Sequence, residues 1–271
     1  MNLINAVILA IVQGLTEFLP VSSSGHLVLG EAILGAESFG TSIAFELVVH
    51  LGTFLAVLAI FWHDIIHLIS VFAPRAVKPG IWKQEYRENA DFKLTILMLV
   101  AMLPAGIIGL ILRDNISELF SQPFMVSIAL VVTGSMLLST KFYRKSDNPI
   151  GVWQAVLIGF AQALALVPGI SRSGSTITMG LALGIKQEQV ARFSFIMVLP
   201  LIVAATVLEF IDLIQIGISA DEIIHLGVGL IVSFFVGYLS LKWLLSLLRQ
   251  GHFHYFAWYC YTIAIAGLIY F

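Results

Sequence analysis

Two stretches, Pro20-Val-Ser-Ser-Ser-Gly25 and Pro168-Gly-Ile-Ser-Arg-Ser-Gly174, decide how this chain folds. Each interrupts an apolar region near its middle, one covering about 3–33 and the other about 152–184. The half on either side runs to about 10–15 residues, whereas a spanning helix needs about 20. The pattern predicts two re-entrant hairpins, each a pair of half-helices meeting at a polar tip. Irregular backbone at membrane depth is tolerated only where protein or a wet cavity surrounds it, so the tips point to a built site.

Six further stretches, about 43–62, 93–112, 121–140, 190–211, 223–247 and 255–271, are long and apolar enough to span. Composition agrees with a polytopic membrane protein. Of the 271 residues, 59% are hydrophobic and 11% charged, against roughly 25% charged in a soluble domain. That excludes a cytosolic globular enzyme and a disordered chain. A net charge of −2 gives no reason to expect a nucleic-acid partner. The lone cysteine, Cys260, can form no internal disulfide. Residues 1–19 read as mature protein, because no Lys or Arg precedes the first apolar stretch and Gln13 and Glu17 interrupt it.

Basic residues concentrate in loops 63–92 and 141–150 and flank 185–190 and 248–254, which the positive-inside rule places in the cytoplasm. Both termini and loops 113–120 and 212–222 are then expected outside, with Arg113 a mild exception. The first hairpin would enter from outside and the second from inside.

The hairpins match each other at an offset of 149 residues: Gln13 with Gln162, Ser22 with Ser171, Ser24 with Ser173, Gly25 with Gly174, and Ser23 opposite Arg172. With one residue of slippage, Phe45-Glu-Leu-Val-Val-His-Leu51 lies over Phe193-Ser-Phe-Ile-Met-Val-Leu199. The expected fold is therefore an all-α polytopic membrane protein. A single domain over 1–271 holds six transmembrane helices and two re-entrant hairpins in inverted-topology repeats, about 1–140 and 150–271. Broken helices at matched positions of inverted repeats place a site near the midplane.

Ionisable groups inside apolar segments are costly and are functional candidates. Here they are Glu17, His26, Glu46, His50 and Arg172, with Glu31 and Glu209 less central. Gln13 and Glu17 share a helix face, as do Glu46 and His50. Oxygen-bearing side chains so placed suit a hard divalent cation, with Gln13, Glu17 and Glu46 as candidates. Glu17 could equally be a base, or a partner of Arg172. Ser22, Ser23, Ser24, Gly25 and His26 form the first tip, which reads either as a nucleophile-plus-base site or as a capped turn. Ser171, Ser173, Gly174, Ser175 and Thr176 open a helix N-terminus beside Arg172, which suits an anion. His252 and His254 read as a juxtamembrane turn. Cation, anion cradle, nucleophile and base together suit phosphate-ester or anhydride chemistry on a lipid-tailed substrate.

Gln13-Gly-Leu-Thr-Glu-Phe-Leu-Pro-Val-Ser-Ser-Ser-Gly-His26 and Pro168-Gly-Ile-Ser-Arg-Ser-Gly-Ser-Thr176 resemble the two signature motifs of the bacterial undecaprenyl-diphosphate phosphatase family, the bacitracin-resistance type. The likeness covers essentially the whole chain. It implies removal of the terminal phosphate of undecaprenyl diphosphate, which recycles the lipid carrier for peptidoglycan and other wall polymers. It also implies Mg²⁺ or Ca²⁺ and the bacterial inner membrane. The family's acidic motif is Glu-or-Gln, three residues, Glu. Gln13 in the first place leaves one carboxylate, Glu17, so a cation would also draw on Glu46 or substrate phosphates. By resemblance, Arg172 holds the diphosphate and Glu17 supports the metal. Ser23 activated by His26 is the preferred nucleophile, with a His26 nucleophile the alternative. A homodimer is compatible with the sequence, which marks no interface.

A second class competes. Inverted repeats with broken helices are also a transporter design, and a lipid-phosphate flippase or ion-coupled transporter could use the same midplane site. A carrier has no need of a hydroxyl nucleophile beside a base.

Overall fold

Proline lacks an amide donor, and serine side chains compete for backbone hydrogen bonds, so helices stop where the two cluster. In the computed structural model, which describes residues 3–34, 43–112, 122–143, 146–203 and 220–271, both tips break the helix in this way. The first hairpin is α1 (Leu3–Thr16) and α2 (Ser23–Leu34); the second is α8 (Val152–Leu164) and α9 (Arg172–Ala182). Helices of 11–14 residues are about 15–20 Å long, well short of the roughly 30 Å hydrocarbon core.

Between the hairpins run α3 (Ile43–Ile60), α4 (Trp62–Ala76), α5 (Trp82–Glu88), α6 (Ala90–Ile111) and α7 (Pro123–Ser139). After them come α10 (Gln187–Met197), α11 (Ala220–Arg249) and α12 (Phe256–Tyr270). No strand occurs among the described residues. The fold is all-helical, consistent with a multi-pass membrane protein, whose helices satisfy their own backbone groups.

By length and apolarity, Ala90–Ile111, Pro123–Phe142 and Ile223–Arg249 can each cross a membrane. The pair Ala44–Ile60 and Trp62–Ala76 qualifies together but is bent by 79° at Phe61. Two expectations differ from this. The stretch 255–271 forms a helix of 15 residues, shorter than a full span. The region 63–92, expected as a hydrophilic loop, is mostly helix. There α4 buries Leu68 and turns its charged groups outward, with Arg75 Nε on Glu85 at 2.7 Å and His67 Nε2 on Asp91 at 2.9 Å. The expected span 190–211 extends past the described residues, and loops 113–120 and most of 212–222 lie outside them, as does Glu209.

The first half-helix of each hairpin packs against a long helix from the other half of the chain, α1 on α11 and α8 on α6. Glycine permits both approaches: a Cβ at Gly14 would meet Val236 at 2.8 Å, and one at Gly159 would meet the Ala101 carbonyl at 2.4 Å. Helix α3 also packs along α11, and α7 along α12. The largest core gathers Phe18, Phe61, Phe193, Phe195 and Ile177 behind the tips, locking them against the bundle. Outward, Leu103, Ile107, Leu110, Phe235, Leu239 and Trp243 are exposed, a surface suited to lipid.

Candidate active site

The two tips meet backbone to backbone. A Cβ on Gly25 would lie 3.0 Å from the Cα of Gly169, which itself has φ +95° and leaves no room for a side chain beside the Val126 carbonyl. Ser22, at φ +68°, sits in the left-handed region. Its Oγ accepts from Gly25 N at 3.3 Å and, across the interface, from Gly169 N at 3.1 Å. Ser171 repeats the local half of this arrangement, accepting from Gly174 N at 3.1 Å. Ser173 Oγ donates back to the Leu19 carbonyl at 3.5 Å. Thr133 of α7 ties the second tip down, donating to the Gly169 carbonyl at 2.7 Å and accepting from Ser171 N at 3.1 Å.

Most of the expected anion cradle is thereby used in holding the tips. Ser171 is an N-cap. Ser175 Oγ bonds the Ser171 carbonyl at 2.7 Å, and Thr176 shares a 2.5 Å hydrogen bond with Ser194. Ser171, Ser173, Ser175, Gly174 and Thr176 are all buried. Their hydroxyls find protein partners because a helix start sunk in a packed core must satisfy its own polar groups. The partly exposed groups are Ser23, Ser24, His26 and Arg172.

Two of them, Ser23 and Arg172, hold Glu17. Arg172 Nη2 donates to Glu17 Oε1 in a close ion pair linking the two hairpins. Arg172 is therefore paired, and an unpaired guanidinium is not what marks this site. Ser23 Oγ donates to Glu17 Oε2 at 2.7 Å. Gln13 Nε2 donates to the same oxygen at 2.9 Å. Because a carboxylate only accepts, the amide nitrogen must face it. That leaves Gln13 Oε1 buried and accepting no hydrogen bond. His50 Nε2 lies 3.9 Å from Glu17 Oε2, while its Nδ1 donates to the Glu46 carbonyl at 2.8 Å. The structure thus turns His50 toward Glu17, and Glu46 is exposed one turn away.

His26 is engaged elsewhere than expected. Nδ1 donates to the Ser22 carbonyl at 2.8 Å, and Nε2 meets the Tyr259 hydroxyl at 2.9 Å. The group bonded to Ser23 is Glu17. Both Tyr259 and Thr133 were invisible to motif reasoning, since each comes from a remote helix and no local pattern marks it. His252 stacks on the Tyr255 ring and His254 meets the same ring edge-on, as a turn would have them. The side chain of Glu31 lies outside the described residues.

A multi-pass helical protein with a hydroxyl, a carboxylate and a guanidinium joined across two broken helices defines a class of membrane protein with a buried polar site. Residues 6–266 match the family described as bacitracin resistance protein BacA, and the chain belongs to that family. It is 38% identical over 268 residues to the undecaprenyl-diphosphatase of Salinibacter ruber, covering 97% of each chain. It is 37% identical over 276 residues to that of Methanosphaera stadtmanae, covering 99% of this chain and 98% of the relative. It is also 37% identical over 275 residues to undecaprenyl-diphosphatase 1 of Shouchella clausii, covering 100% of this chain and 97% of the relative.

Proposed function

We propose that this protein hydrolyses the terminal phosphate of undecaprenyl diphosphate, giving undecaprenyl phosphate and inorganic phosphate. The observation that carries this reading is the 2.7 Å hydrogen bond from Ser23 Oγ to Glu17, whose other oxygen is held by Arg172. A hydroxyl on a carboxylate is an activated nucleophile, and a guanidinium beside it recognises phosphate oxygens. A carrier would need the arginine but not the activated serine.

In this reading the arriving diphosphate draws Arg172 from Glu17 and leaves the carboxylate free to take the Ser23 proton. Ser23 Oγ bonds the terminal phosphorus as the bridging P–O bond breaks and the lipid monophosphate leaves. Water then attacks the phosphoserine, the P–Oγ bond breaks, and inorganic phosphate departs while Ser23 regains a proton. Ser24 Oγ, 3.4 Å from Ser22 Oγ, lies at the same opening. His26 completes the tip.

The donors also suit Mg²⁺ or Ca²⁺. The Glu17 carboxylate and the unpartnered Gln13 Oε1 are hard oxygens within one helical turn. Among the described residues no group of three or more His, Cys, Asp and Glu forms a ready ligand set. Substrate phosphate oxygens would therefore complete the shell, with Glu46 in reserve. Such a cation would neutralise charge on the diphosphate. The layout belongs to the same reading: six crossings, the last made by the short α12 with the helical turn Phe253–Tyr255 before it, and two re-entrant hairpins in inverted repeats, in the cytoplasmic membrane with both termini outside. The exchange of α1 and α8 between halves, and the matching caps at Ser22 and Ser171, support it.

The test is phosphate release from a polyprenyl diphosphate by detergent-purified protein, with and without EDTA, beside Arg172→Ala. Release that needs both the cation and Arg172 supports the reading. No release from folded protein under any divalent ion would favour a flippase, read next in liposomes.

A further inference from the structure

Tyr259 belongs to α12, far from both motifs, yet its hydroxyl lies 2.9 Å from His26 Nε2. The two rings stack, with centroids 5.5 Å apart and planes 7° from parallel. We infer that Tyr259 is a positioning residue for His26, holding its imidazole by Nε2 at the first tip. This rests on the phosphatase reading above.

The Ser22 carbonyl can only accept, so Nδ1 of His26 carries the proton. The neutral ring then presents its lone pair at Nε2, and the Tyr259 hydroxyl donates to it. When His26 gains a proton, Nε2–H donates to Tyr259 Oη instead. One contact therefore holds the ring in both charge states. The tyrosine is itself fixed, because its neighbour Cys260 is fully buried and donates to the Pro20 carbonyl at 3.7 Å. That bond joins α12 to the tip carrying His26.

The surroundings explain why such a brace is required. His26 lines an apolar cavity of about 320 Å³ with Leu29, Ile33, Ile263 and Tyr270. Tyr259 lines another of about 430 Å³ with Leu19, Val21, Trp243 and Phe256. The pair stands between two apolar spaces that offer the imidazole few polar partners. Without the tyrosine hydroxyl, only the Nδ1 bond would orient the ring.

The test uses full-length protein in detergent and Tyr259→Phe, which keeps the ring and removes the hydroxyl. With a polyprenyl diphosphate, kcat is expected to fall about tenfold, the effect of one oriented hydrogen bond, while KM stays within about twofold. Diethyl pyrocarbonate should acylate His26 faster in the variant, read by peptide mass spectrometry, because Nε2 is uncovered. Unchanged kcat, or a raised KM with kcat preserved, overturns the inference. So does a slower variant whose His26 acylates at the wild-type rate. If the wild type releases no phosphate, the phosphatase reading fails separately, and the acylation rate still decides whether the contact exists.

Discussion

Glu17 and Arg172, separated by 155 positions in the chain, form an ion pair that joins the two hairpin tips. The Glu17 side chain is 5% exposed and that of Arg172 28%. The carboxylate is enclosed, whereas the guanidinium borders open space. In the proposed mechanism that asymmetry would let an anionic substrate displace the pairing and arm the carboxylate.

Glu17→Gln tests both roles. It removes the acceptor of the Ser23 proton and strands a partly buried arginine, for which loss of a partner costs about 3 kcal/mol. Phosphate release should fall by at least about a hundredfold, and the melting temperature should drop. A variant with near-wild-type release would remove Glu17 from the chemistry.

Arg172→Lys keeps the charge but loses the planar fork. It should bind diphosphate more weakly and leave the fold intact, with kcat/KM reduced roughly ten- to a hundredfold. Steady-state kinetics on well-folded variant would read it. Equal kcat/KM for the two would mean that a point charge suffices.

Gln13→Glu supplies a second carboxylate where an amide oxygen now has no partner. The half-saturating Mg²⁺ concentration should fall several-fold, because ligand charge tightens binding of hard cations. A titration of activity against Mg²⁺ in a metal buffer measures it. An unchanged midpoint would place the cation elsewhere.

The glycine contact makes a stability prediction. Gly169→Ala forces a side chain into a positive φ and onto the Val126 carbonyl at 2.5 Å, and should destabilise by about 1–3 kcal/mol. Gly30→Ala, in α2 with nothing within 4 Å of the added carbon, should be neutral or slightly stabilising. Thermal melts of the two in one detergent would show the difference.

Polar residues in an apolar background made the hairpins legible. Ser22 and Ser171 read as equivalent because each is a cap, and both bonds are present in the structure. Pro20 and Pro168 marked the breaks for the same local reason. The 79° bend at Phe61 was not legible, because neither proline nor glycine marks it and only packing decides it. The expected contact of His26 with Ser23 is not made, because closeness in sequence stood in for direction. A residue three positions after Ser23 in a helix shares its face, but the ring turns back to the Ser22 carbonyl. Glu17, six positions earlier across the turn, is the residue that reaches the hydroxyl. Thr133 and Tyr259 enter from other helices, and only the assembled fold brings them in.

The central claim is that Ser23 is phosphorylated during turnover. Full-length protein would be mixed with a polyprenyl diphosphate, quenched within milliseconds to seconds, digested and read by mass spectrometry, with Ser23→Ala alongside. The account predicts a phosphoryl group on Ser23, absent in the variant, which would also lose phosphate release. An acid-labile phosphoryl group on His26, with Ser23→Ala still turning over, would contradict it.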